Sequence, residues 1–378
     1  MNVPKEIEEA EIAEKTGRLV RLLAERRLGG VLLGTQHNFA WITGGRTNGV
    51  DLSREVGAAT VLVAADGRRW LLANVIEMPR LLAEELPGGD FRPVELPWTE
   101  PVLDRARDLL GGAPGGARLA ADWPLADLEV VEQEVGRLRS PLTAPELGRF
   151  RALGRDAGEA LGEVCRGLRP GMSEWEIAQR TAAALGARGA SAVVLLVAAD
   201  DRIARFRHPL PTHRRWEQGV MVVACARRAG LTAALTRIVW AGAVPDEVRS
   251  RTRAAANVAA RLLAATRPGA VGKELFAVAA QAYADLGFPG EERLHHQGGP
   301  CGYLSRDWIA QPGCEEVVQD AQGFAWNPSI TGTKVEETCI ATESGIEVIT
   351  ATPGWPALDV EAGGRSFAAP DVASLENL

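Results

Sequence analysis

The amino-acid sequence predicts a small α/β domain followed by a larger α+β domain, on three observations. Its 378 residues exceed one typical domain and leave room for a sizeable core in each of two. Helical periodicity and short apolar runs alternate through about Arg118, then give way to the order helix pair, strands, helix pair, strands. Between the two patterns, Leu138 to Pro145 holds two prolines and a helix-start signal. The expected domains are therefore 1–140 and 141–378, the second with two similar αβ halves around a curved antiparallel sheet.

Each element has its own signal. Ile12, Leu19, Leu22 and Leu23 share a helical period over about Lys5 to Leu28, which closes at Gly29-Gly30 and enters the apolar strand Val31 to Leu33. Strands are expected at Ala59 to Val63 and Trp70 to Ala73, with helices around Ile76 to Glu85 and Val102 to Leu110. Thr143-Ala144-Pro145-Glu146 reads as a capping box, in which Thr143 caps the helix and Glu146 reaches back to the freed amide. The helix Ala144 to Leu168 closes at Pro170-Gly171, and Ser173-Glu174-Trp175-Glu176 opens the next with the same device. Strands Ala192 to Val197, Val220 to Ala226 and Leu235 to Val239 precede helices Pro245 to Ala265 and Lys273 to Leu286. The tail alternates strands at Gly323 to Trp326, Glu337 to Ala341 and Glu347 to Thr350 with Gly and Pro turns.

Composition narrows the function. A hydrophobic fraction of 46% with 24% charged residues is that of an ordinary globular protein. The net charge of -7 opposes a nonspecific grip on nucleic acid, which needs clustered Lys and Arg against phosphates. The longest apolar run, Ala192 to Ala199, is too short to span a bilayer, and Met1 to Glu14 lacks a signal-peptide pattern, so a cytoplasmic protein with a small-molecule partner is expected. Five scattered cysteines without CxxC spacing fit neither a disulfide framework nor a structural zinc site.

Two segments, Gln36-His37-Asn38-Phe39-Ala40-Trp41-Ile42-Thr43-Gly44 and Gly171-Met172-Ser173-Glu174, set in this layout, resemble the creatinase, prolidase and aminopeptidase P superfamily over nearly the whole chain. The resemblance implies a pita-bread catalytic domain behind a smaller creatinase-type N-terminal domain. It also implies a homodimer, in which His37 or Arg46 would reach the neighbour's pocket. Metallopeptidases of that superfamily hold two metal ions with two aspartates, one histidine and two glutamates. Here the strand pair that would carry both aspartates reads Val223-Ala224-Cys225-Ala226 and Gly230 to Arg237, with neither aspartate. His295-His296-Gln297-Gly298-Gly299-Pro300-Cys301-Gly302 has Gly299 in the ligand histidine's place, Asn327-Pro328 replaces Glu-Pro, and Gly332-Thr333-Lys334-Val335-Glu336 keeps the last glutamate. One carboxylate does not hold a transition metal tightly. The expectation is therefore a metal-independent, creatinase-like hydrolase of a C–N bond in a small amino-acid-like, amide or guanidino compound, not a metallopeptidase, with no metal and no cofactor.

Such chemistry needs a proton shuttle, a group that orients water and donors that hold substrate charge. His208 matches the superfamily's active-site histidine and is the first candidate, against a surface histidine among arginines. His295 and Glu336 complete the catalytic set. Adjacent residues on an extended chain face opposite ways, so one of His295 and His296 is expected at the pocket, and one of Glu336 and Glu337 is expected to be solvated. Arg306 matches an arginine that grips a substrate carboxylate, with a surface pairing to Asp307 as the alternative. His296, Gln297, Thr236, Arg237 and Asn327 are the further substrate-binding candidates. Two readings compete: a non-catalytic binding protein on a degenerate fold, and a Cys301 thiolate nucleophile paired with a histidine.

Overall fold

The structure, a computed structural model, describes residues 5–86, 91–111 and 118–378. The chain divides into two compact units, Met1–Glu146 and Leu147–Leu378.

The first unit is built on a six-stranded sheet in the order β4-β3-β2-β1-β5-β6, formed by β1 (Gly30–Thr35), β2 (Val56–Ala64), β3 (Arg69–Asn74), β4 (Arg92–Leu96), β5 (Leu119–Ala121) and β6 (Glu129–Val130). Every residue of β1 is buried, as expected of a central strand covered on both faces. The helix Lys5–Arg26 buries Ile12, Leu19, Leu22 and Leu23, the residues whose spacing predicts it. Helix Val102–Leu109 places Leu103 and Ala106 against Leu32, Leu62 and Leu72 of the sheet. Burying each such leucine stabilises the fold by about 1.5–3 kcal/mol. The helix expected around Ile76 to Glu85 is one turn, Met78–Arg80, followed by a wider π turn over Leu81–Glu85. At the end of the unit the Thr143 amide donates to Glu146 at 2.7 Å and the Glu146 amide to Thr143 Oγ1 at 3.4 Å, the reciprocal cap read from the sequence.

The second unit contains a four-stranded sheet, β18-β9-β8-β7, in which the long antiparallel strands β7 (Ser191–Ala199), β8 (Gly219–Arg228) and β9 (Leu231–Trp240) are joined by the short β18 (Ala373–Ser374). A second four-stranded sheet, β10-β11-β14-β15, is formed by β10 (Gly298–Pro300), β11 (Gln322–Trp326), β14 (Glu337–Thr342) and β15 (Gly345–Val348). Thr338 links the two sheets, accepting from the Ala234 amide and donating to the Ala234 carbonyl, both at 2.8 Å. Two hairpins complete the unit, β12 (Ser329–Ile330) with β13 (Thr333–Lys334) and β16 (Ala357–Ala362) with β17 (Arg365–Pro370); neither was expected from the sequence.

Helices Asp246–Ala265 and Gly272–Asp285 bury Val258, Leu262, Leu275 and Tyr283 in one core with Phe324, Trp326 and Phe367. Helix Ala144–Arg166 carries Gly154, Gly158 and Gly162 on one face. A Cβ at Gly154 or Gly158 would stand 2.5 Å from the Ile349 carbonyl or 2.6 Å from the Ala351 carbonyl, so the stripe lets the segment 349–352 run against the helix backbone. Helix Glu174–Gly186 starts at Ser173 with the expected capping box. The expected mixed α+β class is the observed one.

Candidate active site

Three segments of the second unit bring its histidines together. His208 lies in the loop after the short helix Arg202–Arg205 and is exposed, while His295 and His296 lie in the bend between the turn Glu291–Arg293 and β10. One ion pair ties these segments: Arg207 donates to Glu291 at 2.5 Å and to Thr331 Oγ1 at 3.0 Å, and Thr331 donates to Glu291 at 2.8 Å. His208 Nε2 and His295 Nε2 are 3.1 Å apart. The His295 and His296 rings stack at 4.5 Å with planes 27° apart, and the His208 ring centre is 5.0 Å from His295 and 5.9 Å from His296. Both neighbours thus turn to the same side, contrary to the one-in, one-out expectation, because residues 294–297 bend and do not alternate as a strand would.

Glu336 is buried at the base of the cluster. Lys334 Nζ lies 2.8 Å from its carboxylate, Arg306 Nη2 lies 3.4 Å away, and Thr236 donates its hydroxyl at 2.6 Å. Burial alone would raise the Glu336 pKa, but Lys334 and Arg306 outweigh it and bring it down to about 2. The histidines move for a different reason. Burial disfavours their charged forms and Lys334 adds repulsion, so His295 is pushed down to about 2; at His296 burial, then Arg306 and Lys334, lower the pKa to about 4. His208 is lowered too, by burial and then Lys334. Around neutral pH the site therefore holds three neutral imidazoles, one carboxylate and two cations.

Lys334 and the Arg207–Glu291 clasp are the members that sequence reading missed. Lys334 stands in the quoted Gly332-to-Glu336 stretch and is one of only four lysines, a rarity that was the available signal.

The remaining candidates divide. Arg306 lies at the cluster, with its Nε buried and unpartnered among the described residues. Thr236 faces it, but Arg237 points to the other face of β9, where it donates to Glu337 at 2.7 Å, Thr352 Oγ1 at 2.9 Å and the Thr350 carbonyl at 3.0 Å. Strand alternation separates the two, and Arg237 does not line the pocket. Glu337 correspondingly serves as the half-buried counter-ion of Arg237; neither Glu336 nor Glu337 is left to solvent as expected. Gln297 accepts from the Tyr283 hydroxyl at 2.8 Å and donates to the His295 carbonyl at 2.6 Å, so it braces the histidine bend from behind. Asn327 is buried with its side-chain oxygen unpartnered among the described residues. Cys301 is buried and its thiol is pushed up to about 12 by burial, which removes the thiolate nucleophile. In the first unit, His37 is buried against Glu132 at 3.0 Å, and Arg46 pairs with Glu8 at 2.6 Å.

The two-metal arrangement does not fit these residues. Ala234 stands where an aspartate would, with Cys225 as its cross-strand partner. A Cβ at Gly299 would lie 2.2 Å from the Trp308 carbonyl oxygen, so the backbone itself has closed the place of the histidine ligand. Glu336 alone remains of that set, with Asn327 in the place of the other glutamate.

The profile of metallopeptidase family M24 matches residues 148–349. The uncharacterized peptidase YqhT of Bacillus subtilis (strain 168) is 25% identical over 242 residues, 60% of this chain and 67% of that protein. The structure of an Xaa-Pro dipeptidase from Bacillus anthracis superposes with a TM-score of 0.73 at 20% identity, over 90% of this chain and 98% of that one. The dipeptidase PepE of Mycobacterium ulcerans superposes with a TM-score of 0.77 at 18% identity, over 97% of this chain and 98% of that one. The pita-bread type of α+β fold, with its N-terminal α/β part, is thus shown along the chain. The same findings overturn the expectation of a metal-independent enzyme outside the metallopeptidases, since the matched family is a metallopeptidase family. Loss of individual ligands does not imply independence from metal: residues 208 and 295–296, far apart in sequence, form a histidine cluster that only the fold reveals.

Proposed function

Because the chain belongs to metallopeptidase family M24, we propose that it hydrolyses a peptide-type C–N bond in a small amino-acid-like substrate, at the cluster of His208, His295, Glu336 and Arg306. One observation carries the reading: Glu336 faces two cations, and Arg306 keeps a buried Nε without a partner among the described residues, so the site holds one positive charge and one donor more than these residues use. A substrate carboxylate matches that surplus, since a guanidinium fork binds it in bidentate fashion. The dipeptidase names of the superposed structures support a dipeptide-sized compound.

His208, at the exposed rim, holds and orients the attacking water, whose proton passes to the leaving amine. Glu336, held ionised by Lys334, Arg306 and Thr236, orients the water or the substrate amine. Five unpaired cysteines support a reducing, cytoplasmic setting. The exposed Val50, Leu52, Ile76 and Trp98 of the first unit support a homodimer, which light scattering would test.

The test is turnover of a panel of Xaa-Pro and other dipeptides, N-acyl amino acids and guanidino and ureido acids, with and without added Zn²⁺ or Mn²⁺. We expect release of a free amine from a carboxylate-bearing substrate, and a raised KM in Arg306→Met for that substrate but not for its amide. Failure of the wild type on every compound under both conditions would overturn the reading.

A further inference from the structure

We infer that His208, His295 and His296 hold a single divalent transition-metal ion of the zinc class, at a site distinct from the five-position arrangement that this chain has lost. The three side chains are the one group among the described residues in which three His, Cys, Asp or Glu ligand atoms converge, all lying within 4.8 Å of one another. The closest pair is already spaced for a metal. Two nitrogens on a tetrahedral ion, each at about 2.0–2.1 Å, stand about 3.3 Å apart, and His208 Nε2 and His295 Nε2 stand 3.1 Å apart.

A second observation is independent of that spacing. His296 Nδ1 is buried without a partner among the described residues, a third nitrogen left available beside the facing Nε2 atoms of His208 and His295. Buried polar atoms are ordinarily paired, and a bound ion is a partner that would satisfy this one. Three nitrogen ligands leave a fourth tetrahedral position open, and the exposure of His208 turns the cluster toward solvent; this is the ligand count of catalytic zinc rather than structural zinc.

Charge sets the strength. Lys334 and Arg306 share Glu336 on the floor of the cluster, so the ion meets one carboxylate and two fixed cations. Binding is therefore expected to be micromolar rather than as tight as in sites rich in carboxylates or thiolates.

The experiment needs no substrate. The full-length protein is stripped with a chelator and titrated with Zn²⁺ alone by calorimetry and with Co²⁺ alone by visible absorption, which reports tetrahedral nitrogen coordination. Wild type is expected to bind one equivalent of each. His208→Ala, at an exposed position that folding does not depend on, and His296→Ala should weaken binding at least about a hundredfold. Lys334→Met should tighten it at least about tenfold by removing a repelling charge. No saturable binding, or binding undiminished in both histidine variants, overturns the inference. Although the same residues serve the hydrolytic proposal, the two fail separately: stoichiometric binding without turnover of any substrate removes the hydrolysis and keeps the metal, and turnover without saturable binding does the reverse.

Discussion

Two buried polar clusters, one in each unit, use the same residue types and end in opposite states. In the first unit Asp122 accepts from the Gly34 amide at 2.9 Å, the Thr35 hydroxyl at 2.5 Å and Asn38 at 2.9 Å, while Glu132 takes His37 at 3.0 Å and Arg139 at 2.8 Å. Each carboxylate there has its donors and each imidazole its acceptor. In the second unit three imidazoles crowd together with two of their nitrogens unpartnered among the described residues, and one carboxylate is shared by two cations. A closed network fixes a fold, whereas an open one is costly unless something else completes it. The contrast separates His37, a structural histidine, from His208, a candidate for chemistry, although both stand among polar residues in the sequence.

The contrast can be broken most directly at His208. His208→Ala should lower turnover about 10²–10⁴-fold while shifting the unfolding free energy by about 0.5 kcal/mol or less, as for other exposed positions; His37→Ala should do the reverse, and a turnover loss in His37→Ala alone would merge the two clusters. Next in size is Glu336→Gln, which leaves Lys334 and Arg306 buried against a neutral amide and should cost about 3–5 kcal/mol in urea unfolding. The double variant Glu336→Met with Lys334→Met should recover much of that loss, because no uncompensated ammonium remains.

Asp122→Asn removes an acceptor from a satisfied network and should cost about 1–3 kcal/mol without changing kcat. The smallest effect lies in the acid limb. Glu336 is depressed from 4.5 to about 2, so its contribution is fully present above pH 4.5 and is lost as the pH falls toward 2. Denaturation below pH 4.5 should therefore take up one more proton in wild type than in Glu336→Gln, a slope difference of about 1.4 kcal/mol per pH unit at most.

Much of the fold was legible because its signals are local. The two capping boxes, the leucine period of the first helix and the apolar runs of β2, β8 and β9 each depend on residues within a few positions. What stayed hidden depends on contacts between distant segments. The glycine stripe of Gly154, Gly158 and Gly162 has meaning only beside residues 349–352. The separation of Thr236 from Arg237 needs the register of β9, and the common orientation of His295 and His296 needs the bend that Gln297 braces. Lys334 was readable as a rare residue but not as the partner of Glu336, and the gathering of histidines around positions 208 and 295 has no local signature at all.

Gly299 carries a consequence for descent and engineering. With the Trp308 carbonyl 2.2 Å from where a Cβ would sit, restoring a histidine there requires the backbone at 308–309 to move first. The loss of that ligand is thus locked in by a neighbour that has settled into the space. Point reversion at 299 lies across a steric barrier even if the aspartates and the glutamate were put back, so a lineage or a designer seeking metal chemistry in this scaffold has an easier route through the histidines already gathered than through the position once used.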